Sequence, residues 1–105
     1  MNHHLTHLRT FIDVYRSQSF SRAAEHLGIT QPAASLHIQA LEALVGEPLF
    51  IRRARGVTAT DAAIALAQSV GSHIDGLEAK LASYRATRVH SVMEAEAAQA
   101  SMAHQ

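Results

Sequence analysis

The segment from Ser21 to Glu42, SRAAEHLGITQPAASLHIQALE, holds two short apolar-periodic stretches separated by a single glycine. In the first stretch Ala23, Ala24 and Leu27 fall on one helical face, and Gly28 follows, a residue that readily takes the left-handed conformation where helices stop. Thr30 is placed to cap a second helix. Pro32 falls in that helix's first turn, where the amides lack intrahelical partners and a missing N–H costs nothing. Ala34, Ile38, Leu41 and Val45 then recur every three or four residues, which turns Gln31, Ser35, Leu36 and Gln39 away from the inward stripe before Gly46 closes the helix. Ala23 and Ala24 are small enough for two helices to cross closely. The pattern predicts a helix-turn-helix, but an ordinary helical hairpin in a bundle shares it, so the flanking residues have to decide.

Those residues are EPLFIRRARGVTAT. Leu49, Phe50 and Ile51 read as a short apolar strand, Arg52, Arg53, Ala54, Arg55 and Gly56 as a basic turn, and Val57 with Thr58 as the returning strand. A hairpin with three arginines at its tip, directly after a helix-turn-helix, is the wing of a winged helix. Its guanidinium groups suit phosphates or a narrow minor groove better than they suit a merely solvated turn, so the expected partner is double-stranded DNA. Ahead of the motif, Leu5, Leu8, Phe11, Ile12 and Tyr15 mark a first helix, with Phe20 filling the junction to the next. These aromatics read as core, not as base-stacking platforms.

Beyond the wing Thr60 can cap a long helix whose first turn carries Asp61, the favourable charge at that end. Ala63, Val70, Leu77 and Tyr84 recur every seven residues, with Ala67, Ile74 and Leu81 four later each time. This is an a/d seam interrupted by Gly71 and Gly76. Residues 60–86 would form a rod of roughly 40 Å, and such a stripe is normally buried against a copy of itself, which predicts a homodimer. The expected fold is therefore mainly α: a winged helix-turn-helix of three helices and a short β-hairpin over residues 1–59, then a dimerising helix over 60–88. The Ala-rich residues 89–105 have no clear stripe and read as a disordered tail or the beginning of another domain.

Net charge sits awkwardly with a DNA partner, because nine Lys and Arg are matched by nine Asp and Glu over the 105 residues. The charge is nevertheless local. Residues 1–60 hold six arginines against four acidic groups, and the remainder holds three basic groups against five. The absence of cysteine excludes disulfides, thiolate zinc sites and cysteine nucleophiles. The longest apolar run, Ala62 to Ala67, is six residues, too short for a membrane span or a signal peptide, so a cytoplasmic location is expected. Eight histidines raise the possibility of a metal. His3 and His7 have a helical i, i+4 spacing, but no thiolate accompanies them and the first carboxylate is Asp13, so solvated histidines are the reading and no metal or other cofactor is expected. Nothing resembles a nucleophile motif, a phosphate-cradling glycine loop or a paired-carboxylate site, which argues against an enzyme, and no small-molecule ligand is expected.

Taken together, His7-Leu8-Arg9-Thr10-Phe11, Ser19 to Leu27, Thr30-Gln31-Pro32-Ala33-Ala34-Ser35, Leu41-Glu42, Gly46-Glu47-Pro48-Leu49-Phe50 and Arg55-Gly56-Val57-Thr58 resemble the N-terminal DNA-binding region of the LysR-type transcriptional regulators. The resemblance covers about residues 5–88, with several motifs in the family's order and spacing. It implies a sequence-specific regulator that binds a partly palindromic operator as a dimer paired through the linker helix. The resembling proteins continue into a larger effector-binding domain with a periplasmic-binding-protein fold, on which a higher oligomer would depend. The alternative is a short interaction module that heterodimerises with a full-length regulator and modulates it.

Carried over residue by residue, the resemblance places Thr30, Gln31, Pro32 and Ser35 at the front of the recognition helix. Gln31 can pair with an adenine edge, Pro32 and Ala33 can meet a thymine methyl, and Ser35 can take a phosphate or a base edge. Ser21 and Arg22 suit phosphate clamping, and Arg55 matches the wing arginine. Leu36 and Gln39 occupy positions where the family often has basic residues. With His37 beside them and no Lys or Arg, the recognition helix is short of charge, and the wing, Arg52 and Arg53 included, must supply more of the phosphate attraction. Ala63 stands where the family frequently has glycine, a harmless exchange in a helix.

Overall fold

The computed structural model describes the backbone of residues 3–103 and the side chains of residues 3–87. In chain order it contains α1 (His4–Ser17), α2 (Phe20–Leu27), α3 (Gln31–Val45), β1 (Phe50–Arg53), β2 (Gly56–Ala59) and α4 (Asp61–Ala103). The chain divides into two compact units, one ending at Ile74 and one beginning at Asp75.

Side-chain caps set where α2, α3 and α4 begin. Ser19 accepts from the Arg22 amide at 3.1 Å and Thr30 from the Ala33 amide at 3.1 Å, while the Thr60 hydroxyl accepts from the Ala63 amide at 3.2 Å and donates to the Pro48 carbonyl at 2.7 Å. Each cap satisfies an amide that has no intrahelical partner, at a typical ~1 kcal/mol per cap. Gly28 and Gly46 end α2 and α3 with φ of 69° and 83°. Thus α2 starts at its Ser19 cap and stops at Gly28, and α3 starts and stops where Thr30 and Gly46 indicate.

In this unit α1 packs on both α2 and α3, and the core runs from Phe11, Ile12 and Val14 through Ala23, Ala24, Ala34, Ile38 and Leu41 to Leu49 and Val57. Ala23 and Ala34 have no exposed surface, so their short side chains lie at the bottom of the helix crossings. Phe50 joins the hairpin to the helices, its ring 5.6 Å from Phe11 and 6.0 Å edge-on from Phe20. Phe20, expected to fill the α1–α2 junction, is buried as the first residue of α2 and also meets the hairpin.

The two strands pair antiparallel with Phe50 opposite Ala59 and Arg53 opposite Gly56. This corrects the expected hairpin, in which Arg52 and Arg53 belonged to the turn. They are the last two residues of β1, and the connection is only Ala54 and Arg55, closed by Gly56 at φ 99°. The hairpin is anchored at both ends. Glu42 accepts from the Leu49 amide at 2.7 Å, and the Gln18 carbonyl accepts from the Val57 amide at 3.2 Å.

Helix α4 extends to Ala103, through most of the Ala-rich stretch expected to be a disordered tail or the beginning of another domain. Alanine is the best helix former and no proline intervenes, so weak amphipathicity does not end the helix there.

Candidate nucleic-acid interface

The outward surface of α3 carries no charge. Gln31, Pro32, Leu36, Gln39, Ala40 and Ala43 are exposed, whereas the helix's one acidic side chain, Glu42, is half-buried and engaged with the Leu49 amide. Ala33 and Ser35 are half-buried along the edges of that face, and Thr30 is exposed just before it with its hydroxyl occupied in the cap. Such a surface can read base edges through the Gln amides and through apolar contact, but it has no cation for phosphates.

The cations lie beside it on the hairpin and on α2. Arg52 donates to the Ser35 hydroxyl, and its guanidinium carbon sits 4.0 Å from the centre of the Phe20 ring. Stacked and bonded in this way, Arg52 ties β1 to both helices of the motif and holds its charge at a fixed place. Arg53 donates through Nε to the Thr58 hydroxyl at 3.1 Å. Arg55 is exposed in the turn itself. Ser21 and Arg22 are exposed in the first turn of α2.

A cleft of about 190 Å³ is lined by Ser19, Phe20, Ser21, Gln31, Arg52, Arg53, Gly56 and Val57. It brings the starts of α2 and α3 together with two guanidinium groups. The starts of two helices beside arginine cations suit this cleft to a backbone phosphate.

His37 departs from the expected DNA-facing set. It is half-buried, with Nδ1 2.8 Å from the Thr10 hydroxyl and its ring 5.0 Å from that of His7, so it faces α1 instead of the open side of α3. On the helical wheel position 37 borders the stripe of Ala34, Ile38 and Leu41, and periodicity alone leaves such a flank open to either side. His7 in turn has its pKa held below the ordinary value of 6.5, by burial first and then by the neighbouring charges of His37, His3 and His4. Among the described residues no three His, Asp or Glu side chains converge as a metal-binding group.

The heptad stripe of α4 is divided between the two units. In the first, Ala63 is fully buried and Ile74 is 7% exposed within the chain's own core, with Ala67 and Val70 packed against it. Of the side chains expected to face a partner, Ala63 and Ile74 are buried within the chain's own first unit, whereas Ala67 and Val70 are only half-buried there. In the second unit Leu77, Leu81 and Tyr84 are 56%, 57% and 64% exposed.

Two anchoring residues escaped sequence reasoning. Gln18 adopts φ 55° and ends α1, and the Asp13 carboxylate joins α1 to α2 by meeting His26 Nδ1 at 2.6 Å. No glycine marks position 18, and a separation of thirteen residues hides the Asp13–His26 pair.

Comparison with known proteins agrees with this geometry. Residues 5–64 match the family model of the bacterial regulatory helix-turn-helix proteins of the lysR family. The HTH-type transcriptional regulator AbaB of Streptomyces antibioticus is 50% identical over 70 residues, which are 67% of this chain and 23% of AbaB. The chain thus spans about a quarter of that relative's length. Among solved structures, the DNA-binding domain of BenM in complex with catB site 1 DNA is 33% identical, with a TM-score of 0.68 over 81% of this chain and 93% of that one. That of CbnR in complex with DNA is 29% identical, with a TM-score of 0.67 over 83% and 98%. With the family pattern matched over more than half its length and its helix-turn-helix and wing in place, the chain belongs to the lysR family of bacterial helix-turn-helix regulatory proteins.

Proposed function

We propose that this chain is the DNA-binding portion of a LysR-type transcriptional regulator and that it engages a partly palindromic duplex as a homodimer in the cytoplasm. The observation that carries the reading is the pairing of an uncharged, exposed α3 face with arginines fixed on the adjoining hairpin. Gln31, Pro32, Ala33, Leu36 and Gln39 read base edges in the major groove. Ser21, Arg22, Thr30, Ser35, Arg52 and Arg53 hold the phosphate backbone about the cleft, and Arg55 reaches the flanking backbone. His37 supports α3 from behind. Leu77, Leu81 and Tyr84 pair two copies, and two-fold protein symmetry then demands a two-fold site. Two relatives whose solved structures are DNA complexes support the partner, and no described helix is long and apolar enough to cross a membrane.

Mobility shifts with a duplex selected from a random pool, against its scrambled version, test the reading. Arg55→Ala should weaken binding to both and lower the salt slope by roughly one unit. Gln31→Ala should cost about 1–3 kcal/mol on the selected duplex alone, relaxing preference at one position of each half-site. Equal affinity of the unaltered chain for both duplexes would overturn sequence-specific binding.

A further inference from the structure

We propose that Leu36 is a specificity-determining residue that takes the C5 methyl of one thymine in each half of the bound duplex. The inference rests on the reading of α3 as the DNA-facing helix and goes beyond it by naming the base. Leu36 is 63% exposed, one turn after Pro32 and three residues before Gln39, at the middle of the uncharged face. An exposed leucine gains only by covering apolar surface, and in the major groove the one apolar group on a base edge is the thymine methyl.

The neighbouring side chains leave this position to Leu36. Arg52 is bonded to Ser35 and stacked on Phe20, so its guanidinium is held on the hairpin side, and Glu42 is engaged with the Leu49 amide. Selection operates in two directions. Against thymine the isobutyl group buries a methyl, whereas against the O6 and N7 of guanine or the N4 of cytosine it removes water from polar groups without replacing the hydrogen bonds.

The test begins with the duplex that the chain selects from a random pool, in which each thymine of a half-site is replaced in turn by deoxyuridine. This removes one methyl and leaves base pairing unchanged. At one thymine the replacement should weaken binding about fourfold per half-site, the equivalent of one buried methyl, and Leu36→Ala should abolish that sensitivity while leaving the others as they were. Selection repeated with Leu36→Arg should replace the same base pair by one presenting guanine. The exposed position makes both variants compatible with folding, which circular dichroism verifies. Insensitivity of the unaltered chain to every replacement, or the same sensitivity in Leu36→Ala, would overturn the assignment while leaving DNA binding intact. Failure to enrich any duplex would instead overturn the proposed function, and the base assignment with it.

Discussion

Gly56 is held by two constraints at once. Its φ of 99° is unfavourable for any side chain, and a Cβ there would lie 2.6 Å from the Gln18 carbonyl oxygen, a backbone atom that cannot step aside. Gly56→Ala should therefore destabilise the first unit by about 1–3 kcal/mol, seen as a lower urea midpoint with an unchanged slope. The glycine was legible in the sequence as the end of a turn. Its close neighbour was not, because a glutamine in the left-handed region carries no local signature. His7 gives a second prediction at this scale. The unfolded chain takes up its proton near 6.5, and the folded chain resists until lower pH, so the unfolded state binds more protons within that window. Stability should be level above that value and fall as the pH is lowered through it, and His7→Gln should flatten the fall. Denaturation midpoints compared at about pH 7.5 and about pH 5 measure the effect. A steeper fall in the variant would contradict the assignment.

Among the elements, α3 was the most legible because its boundaries are written in side chains with local consequences: Thr30 caps, Pro32 tolerates the first turn and Gly46 turns out of the helix. The hairpin was legible in kind but displaced in register. Arginine stems lie along a strand as readily as in a turn, and only the pairing of Arg53 with Gly56 shows which residues make the connection. The reach of α4 was underestimated for a related reason, since amphipathicity reports which side of a helix is covered and says little about a stretch held by propensity. Its two interior glycines, expected to weaken the seam, stand in different settings. Gly76 has open space where a Cβ would go, and at Gly71 the nearest side-chain atoms, from Arg16 and Ile12, are at ordinary contact distances of 3.5 and 3.7 Å. Gly76→Ala should stabilise the helix by up to about 1 kcal/mol, and Gly71→Ala by a similar amount because the added methyl would meet its neighbours at ordinary contact distances. Increased helical signal and a higher melting temperature are the measurements, and a loss at Gly76 would show that the glycine meets a partner.

For the whole molecule, the heptad stripe was visible as a repeat of apolar residues but its two uses were not. A repeat records that side chains are covered without recording whether the cover comes from the same chain or another. The exposed set predicts the outcome of Leu77→Asp combined with Leu81→Asp. The pair should reduce a dimer to a monomer in sedimentation and leave the thermal unfolding of the first unit unchanged, because neither side chain belongs to its core. An unchanged mass would assign self-association to another surface. The neutral outward face of α3 has a consequence for how such a regulator changes its target. On the proposed interface, attraction to the polyanion, and with it the speed of searching along a chromosome, would reside in arginines outside that face. Under that proposal, exchanges among uncharged residues at positions 31, 36 and 39 would redirect the protein to a new address without altering how quickly it travels or how firmly it grips the wrong one.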